Sequence, residues 1–100
     1  NVAVKESAIT AAILKALNQV PGCFAYKNHG SPMALAGLPD LTAILVGHAY
    51  YYEVKRPGQK PTPIQEHRMA QLRAAGATVA VVHSAQEALD TLTSHLIPST

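Results

Sequence analysis

The stretch GLPDLTAILVGHAYYYEVKRPG, residues 37–58, carries Asp40, Glu53 and Lys55 inside segments that otherwise read as apolar strands. Charged residues make up only 14% of the chain, and charge is costly to bury. These three therefore need a reason. Glycine suits the first central position of a two-residue type II′ hairpin turn, which places the turn at Gly47-His48. Asp40 then faces Lys55, Thr42 faces Glu53, Ile44 faces Tyr51 and Val46 faces Ala49. Directly opposed residues share a sheet face, so Asp40, Glu53 and Lys55 project together from one end of the hairpin. Two carboxylates there could converge on one hard cation. Magnesium uses one or two carboxylates and completes its shell with waters and substrate phosphate. An ammonium beside it could orient a water or stabilise negative charge at phosphorus. The ordinary reading of the same residues is an Asp40–Lys55 salt bridge on a solvated face, which contributes little. The spacing leaves both readings open. Tyr51 shares the face and is read as packing under the first helix.

The elements that must position these residues follow in the order α-β-β-β-α-β-α. Residues 4–19 have apolar positions at helical spacing and stop at Pro21-Gly22. Glu6 lies three residues before Ile9 and seven before Ile13, on the core-facing stripe of that helix. It would point toward the sheet, or sit in water, favoured by the helix dipole. Residues 23–28 form a short strand. Residues 29–37 form a loop, and Asn28, His29 and Ser31, where it begins, are candidates for lining a cleft. Strands at 40–46 and 49–55 make the hairpin. A helix over 63–75 opens with Thr62 as N-cap, Pro63 at its first position and Gln65 completing a capping box. A buried-type strand spans 77–83. Ser84 and Glu87 repeat the capping-box pattern and open a last helix to about His95.

Composition bounds the rest. One hundred residues, 48% of them apolar, fit a single domain, 1–100. No apolar run approaches a membrane span and nothing reads as a secretory leader. Cys23 is alone, so neither an internal disulfide nor a cysteine-based zinc site can form. These features fit a cytoplasmic protein. With Glu6, Asp40 and Glu53 assigned to a site, eight basic residues remain against three acidic ones, a balance compatible with a phosphate-bearing partner.

"PD" at 39–40 followed by "EVK" at 53–55 is the PD-(D/E)xK nuclease signature. With "EVKRPGQKPTPIQ" and "LRAAGATVAVVHSAQEA" behind it, the chain resembles a VRR-NUC domain from Glu6 to about Leu89. Such domains occur in the Fanconi-associated nuclease and as small stand-alone phage and bacterial proteins. The resemblance implies an α/β, restriction-endonuclease-like αβββαβ core, with a mixed central sheet flanked by helices and an additional C-terminal helix here. It implies hydrolysis of DNA phosphodiesters with Mg²⁺ or Mn²⁺. The site would be Asp40, Glu53, Lys55 and Glu6, with Gln65 as the family's glutamine and the Val54 carbonyl as a further metal ligand. Lys27, Asn28, Arg56 and Lys60 flank it as candidates for contacting nucleic acid. Similarity to Holliday-junction resolvases suggests a homodimer acting on branched DNA, junctions or flaps, inside a bacterial cell. The competing reading is a nucleic-acid-binding module that keeps the fold without catalysis.

Overall fold

The computed structural model describes residues 4–30 and 34–96, with side chains as far as Leu92. Seven elements appear in the expected order: α1 (Glu6–Asn18), β1 (Cys23–Lys27), β2 (Leu41–Leu45), β3 (His48–Val54), α2 (Pro63–Ala74), β4 (Thr78–Val82) and α3 (Ala85–Leu96). The strands form one sheet in the order β1-β2-β3-β4. The first three are antiparallel and β4 runs parallel to β3. A parallel pair needs a crossover, and α2 supplies it.

The two faces of the sheet have different fates. Ala25, Leu41, Ala43, Leu45, Tyr50, Tyr52, Val54 and Val82 point to one side. There they meet Ile9, Ile13 and Leu17 of α1 and Ala88 and Leu92 of α3. Burying a side chain such as Ile13 or Leu17 contributes roughly 1.5–3 kcal/mol each. This face is the core. The alternate residues, among them Thr42, Tyr51, Glu53 and Val79, point the other way. Tyr51 shares a cavity with Leu72 of α2 and with Ala75 just after it. It therefore packs toward α2 and not under the first helix as the sequence suggests. The pattern of apolar positions cannot say which helix covers which face.

The hairpin turn also differs from the sequence expectation. Its central residues are Val46 and Gly47, with φ of 51° and 77°. Positive φ at both positions is the type I′ requirement. A β-branched residue in that conformation is a real outlier. The reason lies across the sheet. His48 is held in β3 by a 2.7 Å hydrogen bond between its Nε2 and Thr78 Oγ1 and by an edge-on contact with Tyr50. It is not free to occupy the turn. The pairs become Leu45–His48, Ile44–Ala49, Thr42–Tyr51 and Leu41–Tyr52. One step further along the ladder, Asp40 comes opposite Glu53 and not Lys55. Because side chains alternate with period two, a displacement of two leaves every residue on its expected face.

The open edge at β1 is closed by a side chain. Asn18, the last residue of α1, accepts from Ala25 N–H and donates to Ala25 C=O, both at 2.9 Å. One amide thus takes the place of a neighbouring strand, which keeps a second chain from adding there.

Candidate active site

Asp40 reaches its position through a chain of local constraints. Gly37 has φ +82°, and an added Cβ would lie 2.7 Å from the Ile64 carbonyl oxygen, so only glycine lets this segment lie against the start of α2. Pro39 follows, buried. Asn28 N–H then donates to Asp40 C=O at 2.8 Å, and the Asn28 amide donates to Pro39 C=O and Thr42 Oγ1. Asn28, a candidate nucleic-acid contact by sequence, thus has its side chain engaged in fixing the Asp40 segment. Asp40 Oδ2 in turn accepts a 2.7 Å hydrogen bond from Val54 N–H. This charge-assisted bond ties the carboxylate across to β3, beside Glu53. Nothing in the residue types signals this tie, because any residue but proline at position 54 would offer the same backbone donor.

Glu53 is 1% exposed. Its Oε2 lies 3.6 Å from Lys55 Nζ, while its Oε1 is buried without a hydrogen-bond partner. Burial, foremost, and the neighbouring Asp40 raise its pKa from 4.5 to about 7, against the opposing pull of Lys55. A buried acid crowded by a second carboxylate and carrying an unsatisfied oxygen is poorly accommodated by protein groups alone. A divalent cation would satisfy both conditions, so the donor set fits Mg²⁺ or Mn²⁺. The residues able to hold it are Asp40 and Glu53.

The other sequence candidates fall around this pair. Glu6 lies in the first turn of α1, half-buried on the stripe of Ile9, Thr10, Ile13 and Leu17. That helix packs on the opposite face of the sheet. Among the described residues no group of three acids, histidines or cysteines assembles for a metal. Gln65 Oε1 accepts from Thr62 N–H and its own N–H donates to Thr62 Oγ1, the complete capping box. Its side chain serves the helix start. Ser84 caps Glu87 N–H, but Glu87 reaches past it to the backbone and ring of His83. Lys27, opposite Leu41, belongs to the core-side face and is exposed at its rim. Arg56 and Lys60 are exposed on the loop after β3. Asn28, His29 and Asp40 line a cleft of about 410 Å³ with the 34–39 segment. Ser31 lies outside the described residues.

A mixed four-stranded sheet with paired acids and a lysine at one end of a central hairpin defines a small α/β domain of the PD-(D/E)xK nuclease type. A solved VRR-NUC domain is 31% identical, with 95% of this chain and 100% of that one covered and a TM-score of 0.75. The chain belongs to the VRR-NUC family. A second VRR-NUC domain protein superposes with a TM-score of 0.69 at 17% identity, covering 92% of this chain and 88% of its own. The Holliday junction resolvase Hjc of Archaeoglobus fulgidus shares the fold at 18% identity, with a TM-score of 0.62 over 78% of this chain and 67% of that one. No family model matches the sequence, and no curated protein does.

Proposed function

We propose that this domain is a metal-dependent, structure-specific DNA endonuclease that hydrolyses phosphodiester bonds in branched DNA such as four-way junctions or flaps. The observation that carries the reading is Glu53: buried, beside Asp40, with one oxygen against Lys55 and the other unsatisfied. Membership of the VRR-NUC family supports it, and the fold shared with a Holliday junction resolvase is consistent with it.

Asp40 and Glu53 would hold Mg²⁺ or Mn²⁺, with the Val54 carbonyl as a candidate third donor. The bound ion would polarise the phosphate and lower the pKa of a coordinated water. Asp40 is held at the site by Val54 N–H and so presents its free oxygen without reorganisation. Lys55, half-buried and close to Glu53, orients the attacking water or balances charge on the phosphate in the transition state. Glu6, at the start of α1, is a candidate for contact through water. Arg56 and Lys60 would meet the DNA backbone. A two-fold dimer would present two sites to a junction.

The test incubates the protein with four-way junctions, flaps and linear duplex in Mg²⁺ or Mn²⁺, beside Asp40→Asn and Lys55→Ala. Cleavage of branched substrates by the wild type and its loss in both variants is the expected result. Cleavage that persists in Asp40→Asn would sink the mechanism. Binding without cleavage on every substrate would point to a binding module instead. Sedimentation of the wild type reports the dimer.

A further inference from the structure

The sheet face that carries Asp40 and Glu53 continues away from them as an exposed aromatic surface. Phe24 is 66% exposed, Tyr26 44% and Ile44 38%; Val46, at the hairpin tip, is 85% exposed. The register fixes their order. Asn28 pairs with Asp40 through a backbone bond, Tyr26 lies opposite Thr42, and Phe24 lies opposite Ile44. Side chains on one face recur about every 7 Å along a strand. The Tyr26 row therefore stands one step from the Asp40 row, and the Phe24 row two steps. The two rings are 5.8 Å apart and tilted by 43°, so neither covers the other.

Three occupants could cover such a surface, and two fit poorly. An added strand would use the β1 edge, but Asn18 occupies both outward groups of Ala25. A second copy of the chain would need roughly 800 Å² from each partner. Aromatic side chains carry about 150–250 Å² each, so with Ile44 and Val46 the exposed patch comes to on the order of 400 Å². That is about half of the total surface a stable dimer buries per partner, so a second copy would have to draw the rest from the polar surface around it. It matches the faces of a few nucleobases, which stack on aromatic rings irrespective of sequence.

The geometry points to a stacking platform, Phe24 and Tyr26 with Ile44 behind them, for unpaired nucleobases beside the Asp40–Glu53 site. The inference rests on the nuclease reading for its substrate, and it narrows that substrate. Bases in an intact duplex are stacked on one another and show the rings only their edges. Bases in a flap, a fork or an opened branch point present their faces. The platform therefore selects DNA with a single-stranded segment running along β1 away from the scissile phosphate.

The test measures fluorescence anisotropy of labelled oligothymidylate and of a hairpin duplex, in EDTA so that nothing is cut, at one fixed salt concentration. Both rings are exposed, so Phe24→Ser and Tyr26→Ser should leave the melting temperature near that of the wild type. Each should weaken oligothymidylate binding by roughly 5- to 100-fold, with duplex binding changed less than about twofold. Phe24→Trp should retain the single-strand affinity and Phe24→Leu should lose most of it, since leucine keeps the apolar area without the π-face. Unchanged single-strand binding, or equal loss on both DNAs, overturns the platform. So does conversion of a dimer into a monomer by the double serine variant, which would make this face an interface between copies. Cleavage assays on the same proteins separate the two readings. A wild type that cuts flaps while its serine variants still bind single strands refutes the platform and leaves the nuclease. A wild type that cuts nothing while its variants lose single-strand binding does the reverse.

Discussion

Replacing Glu53 by glutamine should make the metal-free protein more stable at neutral pH while removing its response to divalent cations. The Glu53 carboxyl titrates near 4.5 in the unfolded chain and near 7 in the fold, because burial and Asp40 disfavour its ionised form. Between those two values the folded state holds more protons than the unfolded one, so stability falls as pH rises through the window. The loss is absent below about pH 4.5 and complete above about pH 7. A rise of that size corresponds to about 3 kcal/mol. Glu53 is almost wholly buried, so little of this is screened by solvent. The amide is nearly isosteric. Its oxygen can accept from Lys55 and its NH₂ can donate to Asp40, so no buried group is left unpaired. Thermal melts in EDTA at about pH 5 and about pH 8 should show the wild type losing more stability than Glu53→Gln, by up to about 3 kcal/mol. For a domain of this size that is roughly 10–20 °C in Tm. The comparison between proteins cancels every contribution the two share. Adding Mn²⁺ at the higher pH should restore the wild type and leave the variant unmoved. A wild type equally stable at both pH values would refute the reasoning. So would a variant less stable than the wild type at the higher pH without metal.

Three further outcomes follow from the scaffold. Val46→Asn should raise stability by about 1 kcal/mol in denaturant titrations, because asparagine tolerates the left-handed conformation that strains a β-branched residue; a loss of stability would mean that the turn changes type in solution. Asn18→Ala removes both hydrogen bonds on the β1 edge and should cost roughly 1–3 kcal/mol. Light scattering should also show increased self-association as the strand edge opens. Gly37→Ala combines a positive φ with a Cβ 2.7 Å from the Ile64 carbonyl, and should cost more than about 1 kcal/mol and weaken Mn²⁺-induced stabilisation together, since the same segment delivers Asp40.

Element order, helix starts and the faces of the hairpin were legible because they depend on local rules. The Thr62–Gln65 capping box formed as its spacing requires. Asp40, Glu53 and Lys55 shared a face because alternation has period two, which survives an error of two in register. The register itself was not legible. The local preference for glycine at the first turn position lost to a hydrogen bond between His48 and Thr78, a partner thirty residues away and on another strand. Only the tertiary structure decided which helices cover which face, placing α1 and α3 on the core side and leaving the Asp40 side to α2 and the cleft. It alone set Asp40 against Val54 N–H, gave Asn28 a bracing role and exposed Phe24 and Tyr26 beside the acids. Periodicity fixes the direction in which a side chain points along its own strand; what it meets there depends on elements packed from elsewhere in the chain.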